Sequence, residues 1–181
     1  MQEESKKLAK RRIFKARLYA IKFNFKKAIF NFEKAIKIDS SPENLFEFAK
    51  FLQELNYLDL SKSSYEEALK IYRERAKENQ RTYLADVAAT LNNLANLHSD
   101  KNEFPQALEK YEEALKIYRE GAKENSRTYL PYVATTLNNL AVLHSAKNEF
   151  PQALEKHEEA LKIRRELAKE NPRTYEINYA R

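Results

Sequence analysis

Tyr65-Glu66-Glu67-Ala68-Leu69-Lys70-Ile71 returns as Tyr111-Glu112-Glu113-Ala114-Leu115-Lys116-Ile117, and again, with His in first place, from His157 to Ile163. The spacing is 46 residues both times, and residues 65–110 match residues 111–156 at 39 of 46 positions. A fixed period of this length marks an array of supersecondary units, none of which can bury its apolar face alone. Upstream the frame is fainter but persists. Ala49, Leu52, Ser61, Tyr65 and Ala68 match Ala95, His98, Ala107, Tyr111 and Ala114 without a gap. Ala16, Ala28, Phe32 and Ala35 fit one step further back, with a shorter unit of 33 residues.

Each unit reads as two helices. Val87, Leu91, Leu94 and His98 are spaced 4, 3 and 4, the stripe of an amphipathic helix, and so are Leu108, Tyr111, Leu115 and Tyr118. The pattern predicts helices over 4–23, 25–38, 42–55, 58–78, 83–100, 104–124, 129–146 and 150–170. Pro105 and Pro151 suit a first helical turn, where a missing N–H costs nothing. Asn79, Asn125 and Asn171 fall where second helices should end, and Asn tolerates the left-handed C-terminal conformation. Thr82, Thr128 and Thr174 are then expected to cap the following helices.

Composition points the same way. There is one Gly in 181 residues, against a usual ~7%. Strands, tight turns and Gly-rich phosphate loops all need more. With no Cys, disulfides, thiolate metal sites and a catalytic cysteine are excluded. No apolar run approaches the ~18 residues of a membrane span, and the charged first residues lack the apolar stretch expected of a signal peptide.

Small residues recur 12 apart where helices must touch, as Ala95 with Ala107 and Ala141 with Ala153. With Tyr111 or His157 four residues on, and Ala114 or Ala160 after it, this spacing resembles the tetratricopeptide repeat. The usual unit of that family has about 34 residues. The longer units here, carrying Thr90-Leu91-Asn92-Asn93-Leu94-Ala95 and Thr136-Leu137-Asn138-Asn139-Leu140-Ala141, are similar to the extended repeats of kinesin light chains and of bacterial proteins built on the same unit. The resemblance covers about residues 8–174, although Lys15 stands where Leu is usual. It implies an all-α, right-handed superhelical solenoid of antiparallel helix pairs in a single domain, with units at about 8–41, 42–82, 83–128 and 129–174. It also implies that first helices line a concave face that holds a ligand.

The best two copies differ at seven places: Arg75/Gly121, Gln80/Ser126, Ala85/Pro131, Asp86/Tyr132, Ala89/Thr135, Asn96/Val142 and Asp100/Ala146. Positions 85, 89, 96 and 100 fall within about 60° of arc on one helix, away from its core stripe. Asn92, Asn93, Asn138 and Asn139 flank that arc. Asn is a poor helix former, and its amide both donates and accepts, matching a peptide backbone. The expected peptide-binding face is therefore Ala89, Asn92, Asn93, Asn96, Asp100, Thr135, Asn138, Asn139 and Val142, with Glu47 and Lys50 in the second unit. There the stripe Glu43, Glu47, Lys50 and Glu54 is acidic and would favour a ligand carrying Lys or Arg. The alternative is solvated positions free to drift.

Residues 1–41 hold 12 Lys and Arg against 4 Asp and Glu, so the formal net charge of +6 lies entirely at one end. Lys6, Lys7, Lys10, Arg11, Arg12, Lys15 and Arg17 crowd the first helix. Such a patch could meet nucleic acid or an anionic membrane; a solvated capping helix is the favoured reading. Phe14, Phe23, Phe25, Phe30 and Phe32 are expected in the core. His98-Ser99-Asp100 is no triad, because consecutive helical residues diverge and the next copy reads His144-Ser145-Ala146. The histidines are expected to pack, including His157 in place of a Tyr. Gly121 reads as tolerated drift. Tyr175 to Arg181 aligns with Tyr129 to Thr135, the start of another first helix, which reads as a short cap or as the cut edge of a longer array whose apolar face could self-associate. The expectation is a cytoplasmic, non-enzymatic scaffold that binds a protein or peptide and needs no cofactor or metal. A structural or oligomerisation module, or a nucleic-acid binder using residues 6–17, is the alternative.

Overall fold

Asn125 is the only residue between two 21-residue helices, and Asn79 stands alone in the same way one unit earlier. The computed structural model describes residues 2–170, and among them eight helices follow one another: α1 (Gln2–Ile21), α2 (Phe25–Ile38), α3 (Pro42–Glu54), α4 (Leu58–Glu78), α5 (Gln80–Asp100), α6 (Phe104–Glu124), α7 (Ser126–Ala146) and α8 (Phe150–Glu170). Two 21-residue helices, a three-residue turn and a one-residue joint account for the 46-residue period. The chain forms two compact units, Met1–Arg75 and Ala76–Arg181.

The joints differ from the sequence expectation. Asn79 and Asn125 are extended, at φ −144°, and not left-handed. Their side-chain oxygens accept from the amides of Thr82 at 3.2 Å and Thr128 at 3.1 Å, so they are the N-caps and the threonines lie inside the first turn. α5 and α7 consequently begin at Gln80 and Ser126, three residues before the predicted starts. The reason is competition for orphan amides: an Asn that caps the next helix satisfies a donor that a left-handed residue would leave open. Asn171, Thr174 and Tyr175 to Arg181 lie outside the described residues.

Left-handed residues close the other turn of each unit instead. Phe23, Asn56, Asn102 and Asn148 have φ of 54°, 61°, 58° and 61°. In each case the last helical carbonyls accept the paired bonds of a Schellman motif, as in Asn102 N to Ser99 O at 2.9 Å and Glu103 N to His98 O at 2.8 Å. Asn suits this backbone because its short polar side chain tolerates it.

In the first unit, Phe32 of α2 stacks on Phe48 of α3 at 5.3 Å and meets Phe51 at 5.1 Å. Ile13, Ala16, Ala28, Ala35 and Leu52 complete this core. Phe14, Phe23, Phe25 and Phe30 are exposed, contrary to the expectation. Ala9, Ala16, Ala28 and Ala35 are fully buried, and these four rings lie outside the packed stripes of the two helices. Ser61 is buried on α4 and bonds the Ala49 carbonyl at 2.8 Å, the polar counterpart of the small-residue contact.

In the second unit the pairs Ala95/Ala107 and Ala141/Ala153 are buried as expected, with Leu91, Leu94, Leu97, Leu137, Leu140 and Leu143 around them. His98 is buried, and its Nδ1 meets Glu103 Oε2 at 2.5 Å. His144 repeats the contact with Glu149 at 2.6 Å. His157, by contrast, is exposed where Tyr65 and Tyr111 are buried. Gly121 is not drift. A Cβ there would sit 2.8–2.9 Å from the Tyr129 ring, so the glycine lets α7's first turns lie flat on α6.

Candidate functional site

Four asparagines of the first helices, Asn92, Asn93, Asn96 and Asn139, make hydrogen bonds inside the chain. Thr136 Oγ donates to Asn92 Oδ1 at 3.2 Å, and Asn139 Nδ2 lies 3.4 Å from Asn92 Oδ1 and 3.3 Å from Asn96 Oδ1. Asn96 Oδ1 also accepts from the Tyr111 hydroxyl. These bonds tie α5 directly to α7, so the two first helices lie side by side. Thr136 is buried, so its hydroxyl needs that partner. The sequence reading missed Thr136; its place before the repeated Leu-Asn-Asn-Leu was the available signal.

The other expected residues sort by exposure and partner. Asn93 is half-buried and donates back to the Ala89 carbonyl at 2.8 Å. Asn138, at the position equivalent to Asn92, is half-buried and has no hydrogen-bond partner among the described residues. Thr135 is exposed and bonds the Pro131 carbonyl at 2.9 Å. Val142 is 54% exposed and Asp100 is exposed, while Ala89 is half-buried. Tyr132, which the sequence reading noted only as a difference between copies, stacks on Tyr118 at 5.2 Å and stays half in solvent.

The α3 residues are a separate set in the first unit. Lys50 is exposed, but Glu47 is held by Arg17 of the basic helix. Glu43 meets Arg75 of α4 at 2.9 Å. Two of the three glutamates of the stripe are thus paired with arginines of the same unit. Of the basic patch, Arg12 lies half-buried 3.3 Å from Asn31 Oδ1, and Lys7 lies 4.0 Å from Glu3. Lys15 sits over the Tyr19 ring at 5.9 Å. Lys6, Lys10 and Arg11 are exposed, without a carboxylate partner among the described residues.

Models of the tetratricopeptide repeat match residues 9–42, 45–120 and 133–173, which together span most of the chain. The chain belongs to the tetratricopeptide repeat family. Tetratricopeptide repeats generally mediate protein–protein contacts and are generally non-enzymatic scaffolds. No curated protein sequence matches this one. Among solved structures, this tetratricopeptide repeat chain is similar to BtubC (BKLC) from P. vanneervenii, with a TM-score of 0.74 and 24% identity over 88% of this chain. It spans 64% of that structure's chain. A putative kinesin light chain from Podospora anserina, with nearly identical repeats, aligns with a TM-score of 0.65 and 18% identity, covering 86% of this chain and 73% of that one. MamA aligns at 0.65 and 14% identity, over 89% and 81% of the two chains. At these identities the likeness is one of fold. Among the described residues no cluster of His, Asp and Glu could hold a metal, and no helix is long and apolar enough to cross a membrane.

Proposed function

We propose that this chain is a protein-interaction scaffold whose second unit binds an extended peptide segment along the adjoining first helices α5 and α7. The observation that carries the reading is the direct hydrogen bonding of α5 to α7 through Asn92, Thr136 and Asn139. It brings the positions that differ between near-identical copies, Ala89/Thr135 and Asn96/Val142, into one row. Within that row the asparagines divide the work. Asn92 and Asn139 set the spacing of the helices, and Asn138, half-buried at the position equivalent to Asn92, offers an amide that both donates and accepts to a ligand backbone. A row fixed by internal bonds avoids much of the ordering cost of binding.

The test is panning of a displayed peptide library against the full chain. Enriched peptides should bind the parent and lose binding to Val142→Arg and Asn138→Ala, with both variants melting as the parent does. Peptides that bind both variants as tightly as the parent, or a library that yields no binder, count against the reading.

A further inference from the structure

Position 23 breaks the rule the other turns obey. Asn56, Asn102 and Asn148 supply the left-handed residue of their Schellman turns; in the first turn Phe23 takes that backbone at φ 54° and leaves its ring 81% exposed. A bulky residue there is strained, and an exposed ring gains nothing from burial. Two costs at one residue call for a gain elsewhere.

The neighbourhood supplies its chemistry. Phe14, Leu18 and Ile21 of α1 are 61%, 44% and 74% exposed. At about 100° per residue they share a ~100° arc with Lys7, Lys10 and Arg11, opposite the buried stripe of Ala9, Ile13 and Ala16. The helix is therefore apolar on two faces, one packed on its own unit and one mixed with cations. Lys22 and Lys26 flank Phe23 and are exposed. Phe23 itself rests edge-on against Phe25 at 6.1 Å, so the tip of the α1–α2 turn is aromatic.

We propose that this face docks on an anionic lipid bilayer surface, with Phe23 and Ile21 entering the acyl boundary and Lys7, Lys10, Arg11 and Lys22 lying at the headgroups. The pattern favours a bilayer over nucleic acid. Phosphate backbones reward cations but offer nothing to Leu18 and Ile21, whereas an interface rewards both. The exposed rings are aliphatic-flanked and end on a turn.

The experiment uses the full chain and vesicles of phosphatidylcholine with and without phosphatidylserine. Because the chain has no Trp, Phe23→Trp places a single indole at the tip. Its emission should shift to the blue with phosphatidylserine vesicles and not with phosphatidylcholine alone. In co-sedimentation, Phe23→Asn should weaken vesicle binding about tenfold, the scale of one buried aromatic side chain, while raising the melting temperature. Binding and stability thus move in opposite directions, which a misfolded variant cannot mimic. Three results would each overturn the proposal: no binding to phosphatidylserine vesicles, binding unchanged in Phe23→Asn and in Ile21→Ser, or tight salt-sensitive binding to a DNA duplex in place of vesicles. Self-association blocked by the same substitutions, without vesicle binding, would assign the face to a second copy and overturn it too.

Discussion

Arg17 of α1 holds Glu47 of α3 through two parallel bonds, Nε to Oε1 at 2.5 Å and Nη2 to Oε2 at 2.7 Å. They stand 30 residues apart and belong, by sequence, to opposite features: a basic patch and an acidic stripe. Their pairing removes one charge from each. The fork of a guanidinium matches a carboxylate in geometry, which Lys cannot do. Arg17 remains largely exposed, so the gain is modest. Arg17→Ala, Glu47→Gln and the double variant should give a coupling of about 0.5–1 kcal/mol in chemical denaturation, and Arg17→Lys should lose most of it.

Asn139 and Asn138 are neighbours with opposite expected behaviour. Asn139→Ala removes bonds to Asn92 and Asn96 across two helices and should cost about 1 kcal/mol. Asn138→Ala should be neutral or slightly stabilising, since Ala is the better helix former. Equal thermal melts for the two variants would show that the α5–α7 bonds carry no net stability.

Gly121→Ala tests the close approach of Tyr129. Helix propensity alone predicts a gain of about 1 kcal/mol. The contact of 2.8 Å predicts overpacking against a ring, a loss of about 1–3 kcal/mol. We expect the loss to win in the single variant. In a Tyr129→Ala background the same change should stabilise, because the ring it collides with is gone. Urea midpoints of the four proteins decide it.

Phe23→Gly and Phe23→Asn should both stabilise by about 1 kcal/mol, because either residue adopts the left-handed backbone at lower cost. Asn56→Ala should cost a similar amount, as the mirror experiment in a turn that already obeys the rule.

Alkaline pH should weaken the fold through its tyrosines. Burial pushes the phenols of Tyr65, Tyr111 and Tyr118 well above the usual tyrosine range, with Glu54 adding to the first, Asp100 to the second, and Tyr132, Asp86 and Tyr129 to the third. A phenol whose folded pKa is raised keeps its proton after the unfolded form has lost it. The stability it contributes is complete below about pH 10 and falls as pH climbs toward the folded value, by at most about 1.4 kcal/mol per pH unit per tyrosine. Melting temperature against pH should drop above pH 10, and Tyr118→Phe should flatten that drop. A profile unchanged by the substitution would show that Tyr118 titrates as it does in the unfolded chain.

The sequence carries the repeat, the helix pairs and the small-residue contacts on its own, because these rest on a period that every copy restates. Ala95 with Ala107 and Ala141 with Ala153 could be read from spacing, since close helix contact permits little else there. It also marked the first-helix faces where copies diverge. What the polar residues on those faces do is settled by packing in three dimensions. Asn92 bonds Thr136 and Asn139 of the next first helix, which nothing in its own repeat position announces. Arg17 and Glu47 cancel a charge contrast that composition had made prominent. Asn125 caps forward where an isolated reading has it close backward. A hydrophobic period is local and survives in one dimension, whereas a hydrogen bond is settled by which partner arrives within 3 Å, and that partner comes from another helix.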